Sequence, residues 1–196
     1  MFQRSLKAIL LIAGFCLSVG LHADALEDGH TAFDAKNYKQ AYALWQPLAE
    51  QGDPDAQYNL GLLFMNGLGV EKNDRTALLW FTRAAQQGLA DAQYNAGLMF
   101  YLGRGVYPSN KTAVQWWTLA AEKGHANAEN NLAAMYAFGS GVAKDPAKAI
   151  ALWTAAAEQG HSEAIDSLIN VYSGKIVGFH ADPTKAAYWQ QKRKAR

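Results

Sequence analysis

The residues of this chain that could do chemistry are a few histidines, a serine between two glycines and one cysteine. Histidines bind a metal ion when the fold brings several together, and two of them one helical turn apart are a common arrangement. No His-x-x-x-His pair occurs among the histidines beyond residue 25, which are His30, His125, His161 and His180. His125 and His161 each follow a glycine, so we interpret them as turn residues and predict no metal site.

The motifs give catalysis equally little support. The sequence has no Gly-x-Ser-x-Gly motif of a nucleophilic serine. Ser140 lies directly between two glycines, and Arg104 occupies the same place 36 residues earlier, so we interpret Ser140 as a loop residue. Gly67 and Gly69 join two predicted helices, whereas a phosphate-binding loop joins a strand to a helix. The single cysteine, Cys16, lies in a segment that we expect to be removed. We therefore predict a protein that is not an enzyme and carries no cofactor.

The first residues have the pattern of a secretory signal peptide. Two basic residues precede an apolar run that ends at Leu21, and small residues follow at Ala23 and Ala25. The run is shorter than the roughly 20 residues that span a bilayer. We predict a signal peptide over residues 1–23, cleaved after Ala23 or Ala25. The expected location is outside the cytoplasm, and the periplasm if the source is a Gram-negative bacterium.

The charge of the remaining chain argues against nucleic acid as a partner. Removing Arg4 and Lys7 leaves 16 basic against 17 acidic residues. A nucleic-acid-binding domain usually carries a clear excess of basic residues, and this chain does not.

A period of 36 residues runs through the rest of the chain. Glycine recurs at Gly52, Gly88, Gly124 and Gly160, and alanine at Ala56, Ala92, Ala128 and Ala164. A fixed period of this size is typical of stacked helical repeats, in which no unit buries its apolar face alone. Such arrays present an extended surface, usually to another protein.

One unit, residues 53–88, predicts two helices and two glycine turns. Asp53 has the side chain of an N-cap, and Pro54 suits the first helical position. A pair of glycines then interrupts the helix, and a second helix is expected from about residue 73 to residue 87. Gly61, in the middle of the first helix, indicates that the partner helix crosses close to it. Four tryptophans are predicted to be buried in the space between repeats: Trp80, Trp116, Trp117 and Trp153.

The unit resembles the Sel1-like repeat, a relative of the tetratricopeptide repeat with a longer loop. The similarity lies in Asp55-Ala-Gln-Tyr-Asn-Leu-Gly-Leu-Leu-Phe64, in Gly67-x-Gly-Val70, in Ala77-x-x-Trp80-Phe81 and in Ala84-Ala-Gln-Gln-Gly88. It extends over roughly residues 30 to 191. The resemblance implies an all-α fold, a right-handed α/α solenoid of antiparallel helix pairs, and a role as an adaptor or regulator in a protein complex.

The departures from the pattern suggest a domain organisation. We predict residues 26–52 as an N-terminal tetratricopeptide-like capping pair, 53–88, 89–124 and 125–160 as Sel1-like repeats, and 161–196 as a degenerate C-terminal capping repeat. In the last unit, the loop from Gly174 to His180 is one residue longer than its counterparts.

The resemblance also implies where a partner binds, because the first helix of each pair lines the concave groove of such solenoids. The partner-binding residues predicted by period are Tyr58, Asn59, Leu62, Met65, Tyr94, Asn95, Leu98, Tyr101 and Asn131. Aromatic and apolar side chains with amides beside them suit an extended peptide or a partner helix. An alternative remains that the apolar members pack against neighbouring helices and that the asparagines brace the framework.

The sequence therefore predicts an exported scaffold that binds a protein partner and regulates or assembles an envelope complex. One alternative is a structural subunit of an envelope machine, such as a motor, a secretion apparatus or a polysaccharide exporter. A less favoured one is a hydrolase or binder of cell-wall or β-lactam molecules. Oligomeric state is not predicted.

Overall fold

All the regular secondary structure in the computed structural model, which describes residues 24–195, is α-helical. The helices are α1 (24–34), α2 (Tyr38–Glu50), α3 (Pro54–Asn66), α4 (Asp74–Gln86), α5 (Ala90–Leu102), α6 (Asn110–Ala121), α7 (Ala126–Phe138), α8 (Pro146–Glu158), α9 (Ser162–Tyr172) and α10 (Pro183–Lys194). The predicted all-α class is confirmed. The predicted signal peptide, residues 1–23, lies outside the described residues. Within 24–195, no helix is both long and apolar enough to cross a bilayer.

The described residues divide into two compact units, with the boundary between Arg83 and Ala84 inside α4. In the first unit, α2 packs on α3 and the core is built around Trp45 and Leu60. In the second unit each helix from α5 to α9 packs on the next one along the chain. Its core includes one cluster around Trp117 and another around Trp153.

The first helix of each pair begins at the same repeat position. Its N-cap is Asp53, Leu89, His125 or His161, at intervals of 36 residues. Asp53 accepts a hydrogen bond from the Ala56 amide at 2.7 Å, as the sequence predicts. The two histidines do the same through Nδ1, at 3.2 Å from the amides of Ala128 and Ala164. These turn histidines therefore have a defined structural role.

The loop glycines serve two different purposes. The first glycine of each pair ends a helix in the left-handed conformation, as Gly139 does with φ +71°. In the α3–α4 and α7–α8 loops, the second glycine lies against the start of a helix from the preceding pair. A Cβ at Gly69 would lie 2.6 Å from the backbone carbonyl carbon of Tyr38, and one at Gly141 would lie 2.5 Å from that of Asn110. Only a residue without a side chain allows this approach.

Glycine in the middle of a helix has the packing reason that the sequence suggests. A Cβ at Gly61 would lie 2.6 Å from the Phe81 ring, and one at Gly97 would lie 2.6 Å from the Trp117 ring. Phe81, Trp117 and Trp153 occupy one repeat position, and all three are buried.

Trp116 is the exception among the four tryptophans predicted to be buried. It is only partly buried, whereas its neighbour Trp117 is 1% exposed. Adjacent residues of a helix point about 100° apart, so one of the two must turn away from the core. Trp45 and Trp189 are also buried, although they lie in the first and last pairs of described helices.

We expect Gly141→Ala to destabilise the protein by about 1–3 kcal/mol more than Gly124→Ala. Both glycines have positive φ, +71° and +76°, so both variants bear the left-handed strain of about 1–2 kcal/mol. At Gly141 the added methyl group meets a neighbouring backbone. At Gly124, no atom of the described residues 24–195 other than its chain neighbours lies within 4 Å of the added methyl group. Urea unfolding of both variants measures the difference. Equal losses would show that the loop does not depend on this contact.

Candidate functional site

The nine residues predicted to bind a partner are divided between the two units. Four lie on α3 of the first unit: Tyr58, Asn59, Leu62 and Met65. Five lie on helices of the second unit: Tyr94, Asn95, Leu98 and Tyr101 on α5, and Asn131 on α7. The latter five are here called the α5–α7 face.

On α3, Asn59 points inward. It is 9% exposed, and its amide nitrogen lies 3.0 Å from Nε2 of His30 on α1. Tyr58 places its ring 5.7 Å from that of Phe81, centroid to centroid. Leu62 and Met65 are partly buried. Asn59 therefore joins two helices, and the open part of this surface is apolar.

On the α5–α7 face, the structure brings Tyr94 and Asn131 together. The phenol of Tyr94 is hydrogen-bonded to the Asn131 side chain. Burial raises the pKa of this phenol above its usual range, the Asn131 hydrogen bond opposes the rise, and the nearby Glu163 carboxylate adds to it. The Tyr94 backbone carbonyl also accepts a hydrogen bond from the Trp117 indole at 3.2 Å. Tyr94 is thus held at its phenol and at its backbone carbonyl.

His125 packs against the face of the Tyr94 ring. The two rings stack with centroids 4.7 Å apart and planes 21° apart. Since Nδ1 accepts the Ala128 amide, the proton of the neutral imidazole lies on Nε2, which is 3.2 Å from Oδ1 of Asp91. His125 therefore links the start of α5 to the start of α7. The sequence signal for this role was its repeat position, which Asp53 shares.

Tyr101 is the member of the face that extends furthest into solvent. It is 45% exposed, and its ring centroid lies 5.5 Å from that of Trp117. Leu98, one helical turn away, is partly buried against the cluster around Trp117. Asn95 is partly buried, and its amide donates to the backbone carbonyl of Asp91 at 3.1 Å. An exposed aromatic side chain thus lies beside ordered neighbours.

Beneath this face, a carboxylate replaces an amide that recurs in the other repeats. Gln57 and Gln93 are buried and donate to the backbone carbonyls of Ala49 and Ala85, at 3.0 and 3.1 Å. The residue at the same repeat position on α7 is Glu129, which is 6% exposed.

An ionised carboxylate cannot donate such a bond. Glu129 instead accepts one from Gln159 at 2.8 Å. Burial raises the pKa of Glu129, while the Gln159 hydrogen bond and the nearby His125 oppose the rise. Glu129 is therefore harder to ionise in the folded protein than in the unfolded chain.

The chemistry available at these faces is that of binding. Their side chains are aromatic, aliphatic and amide groups, which pack against and hydrogen-bond to a ligand. Among residues 24–195, no three histidine, cysteine or acidic side chains come together in a way that could hold a metal ion.

We expect Glu129→Gln to stabilise the protein at neutral pH by about 1 kcal/mol, because the amide removes a buried charge and can donate to the Ala121 carbonyl. The raised pKa of Glu129 means that the native state binds its proton more tightly than the unfolded state does. Stability of the parent protein should then fall as pH rises through the range above the unfolded value of about 4.3.

The gap between variant and parent should therefore be widest at pH 7 and should narrow toward pH 4. Thermal unfolding across this pH range measures it, with Glu158→Gln, an exposed position on α8, as the matched control. A gap that is constant with pH would contradict the assigned role of Glu129.

Comparison with known proteins identifies the repeat. The family model described as Sel1 repeat matches residues 18–53, 54–89, 90–125 and 126–161. The crystal structure of c5321, a protective antigen of uropathogenic Escherichia coli that displays an SLR fold, is 34% identical with a TM-score of 0.84. The match covers 89% of this chain and 38% of that one, so the chain spans well under half of that relative.

A Sel1 repeat protein from Oxalobacter formigenes is similarly close. It is 34% identical with a TM-score of 0.81, and the match covers 87% of this chain and 70% of that one. A sel1 repeat protein of Klebsiella pneumoniae, 18% identical with a TM-score of 0.55 over 89% of this chain and 86% of that one, shares the fold. No curated protein sequence matches the chain significantly. The four repeat matches and the Oxalobacter structure confirm the predicted fold and show that the chain belongs to the Sel1 repeat family.

Proposed function

We propose that this Sel1-repeat scaffold binds a segment of a partner protein on the α5–α7 face, and that binding regulates or assembles an envelope complex. The observation that carries the proposal is the half-exposed Tyr101, which lies about two turns along α5 from the fixed Tyr94. Aromatic residues of this kind contribute much of the free energy of binding at protein interfaces.

The order of the face favours binding without a large entropy cost. Tyr94 is stacked on His125 and hydrogen-bonded to Asn131, so its position is set before a partner arrives. A prearranged surface loses less conformational freedom when a complex forms. A tyrosine phenol is protonated at neutral pH, and burial of Tyr94 raises its pKa further. Tyr94 therefore offers a hydrogen-bond donor to a partner.

The α3 face of the first unit offers a second apolar surface for the same kind of partner. Tyr58, Leu62 and Met65 are partly buried and retain accessible surface. Asn59 contributes less here, because its amide is engaged by His30. We propose that the partner's main contacts lie on the α5–α7 face.

The proposal includes no catalytic step and no cofactor. The members of the α5–α7 face carry phenol, amide and aliphatic groups, which are not the bases or nucleophiles of acyl transfer or hydrolysis. The neighbouring His125 imidazole is engaged at both nitrogens, by the Ala128 amide and by Asp91. The scaffold would instead act by holding its partner.

The signal-peptide pattern supports an exported location. The E. coli relative is described as a protective antigen, which is in keeping with such a location. We propose the periplasm of a Gram-negative cell as the place where the partner is met.

The proposal predicts one dominant crosslinked protein when a photoreactive residue replaces Tyr101 in the native cell. Tyr107, which is 92% exposed in the following loop, provides the control position. Mass spectrometry identifies the captured protein. Capture from position 107 and not from position 101 would place the interface on the loops and contradict the proposal.

With the partner identified, we expect Tyr101→Ala to weaken its binding about tenfold, as loss of an aromatic side chain at an interface commonly does. Tyr107→Ala should leave the affinity unchanged. Calorimetric titration measures both, and circular dichroism verifies that each variant remains folded. Equal affinities for Tyr101→Ala and the parent protein would rule out this face as the binding site.

A further inference from the structure

The loop between α9 and α10 does not pack as its counterpart between α7 and α8 does. In the α7–α8 loop, Gly141 lies against the backbone at Asn110, the first residue of α6. In the α9–α10 loop, among residues 24–195, a Cβ at Gly178 would come within 4 Å of the Lys144 side chain alone, with Nζ 3.0 Å from that Cβ. The longer loop is thus not pressed against the start of α8.

A cleft lies where this contact is missing. Its volume is about 520 Å³, and its floor includes Pro146 and Ala147, the first residues of α8. These two follow Asn110 and Lys111 by 36 residues, which are the positions that Gly141 covers one repeat earlier. The volume lies within the range of about 300–1,000 Å³ that is typical of ligand sites.

The walls of the cleft are largely apolar and aromatic. Ile150 comes from α8, Tyr172 from the end of α9 and Phe179 from the loop. The Phe179 ring is held against Trp153, with centroids 6.1 Å apart. This combination suits a large apolar side chain of a ligand.

The mouth of the cleft carries a positive group. The Lys185 ammonium lies 5.3 Å from the centroid of the Tyr172 ring, and its side chain is 60% exposed. Lys144 approaches the loop at Gly178, and the His180 imidazole also lines the cleft.

The neighbouring carboxylates are engaged as helix caps. Asp145 accepts the Lys148 amide at 3.0 Å at the start of α8, and Asp182 accepts the Lys185 amide at 3.1 Å at the start of α10. Asp182 also lies 3.5 Å from the Lys185 ammonium, a pair that is exposed and therefore weak. A ligand carboxylate can compete for this ammonium, since Asp182 keeps its backbone hydrogen bond.

From this arrangement we propose a second binding site, which takes an acidic segment of a partner protein. The segment inserts one large apolar side chain between Ile150 and Phe179 and directs a neighbouring carboxylate to Lys185. The site is formed by α8, α9 and α10, and it does not depend on the function proposed for the α5–α7 face.

Capped tetrapeptides test the site directly. The probe is acetyl-Gly-Asp-Phe-Gly-amide, titrated into the full ¹⁵N-labelled chain and followed by amide chemical shifts. We expect shifts concentrated at residues 147–150 and 176–185. Two matched peptides, with Asn in place of Asp and with Ala in place of Phe, should each bind more weakly. Shifts elsewhere, no shifts at millimolar peptide, or equal binding of all three peptides would overturn the proposal.

Variants separate the charge from the cavity. Lys185→Glu should weaken binding of the probe at least about fivefold, whereas Lys175→Glu, the same change outside the cleft lining, should not. Ala147→Trp, which fills the cleft from an exposed position, should abolish the shifts at residues 176–185. Thermal unfolding verifies that each variant is folded. Unchanged binding by both Lys185→Glu and Ala147→Trp would show that the cleft is not the site.

Discussion

The close approach of helices and loops at residues without side chains is the constraint on which the rest of the fold depends. Gly61 and Gly97 admit the rings of Phe81 and Trp117 at distances where even a methyl group would collide. Gly141 admits a backbone in the same way. The mid-helix contact occurs at Gly61 and Gly97, whereas the same repeat position on α7 is Ala133, which is buried as well. Where the glycines occur, they set the spacing between neighbouring helices within each unit, and the larger side chains fill what remains.

The α5–α7 face is a product of that packing. The Trp117 ring that fits against Gly97 also donates its indole proton to the Tyr94 carbonyl and contacts the Tyr101 ring. The Trp117 side chain therefore positions both Tyr94 and Tyr101 from the core, and the stacked His125 ring also positions Tyr94. The surface proposed for binding and the core of the second unit share their structural support.

Much of the fold follows from patterns that act locally. Asp53 before Pro54 predicts a helix start, because a short carboxylate reaches the backbone amides that a helix leaves unpaired. His125 was harder to interpret, since imidazole is not among the common caps, although its place in the repeat was visible. The sequence could not distinguish Trp116 from Trp117, because both are equally apolar and only the helix crossing decides which one is buried.

Features that depend on contacts between distant parts of the chain could not be predicted from the sequence. The contact between Gly141 and Asn110 joins residues 31 positions apart, and no local sequence pattern predicts it. The inward orientation of Asn59 likewise depends on His30, which lies on another helix. The buried carboxylate of Glu129 looks like an ordinary surface charge until its repeat position is compared with Gln57 and Gln93.

The single residue between the two glycines of each loop, here called the loop tip, can vary without a change in the loop backbone. Leu68, Arg104 and Ser140 occupy the same tip, and each donates its amide to the carbonyl five residues earlier, at 3.0, 2.9 and 3.0 Å. An aliphatic, a cationic and a hydroxyl side chain are thus carried by one unchanged backbone. Duplication of a unit followed by mutation at its tip would therefore change the chemistry of the loop while the inherited loop backbone stays the same.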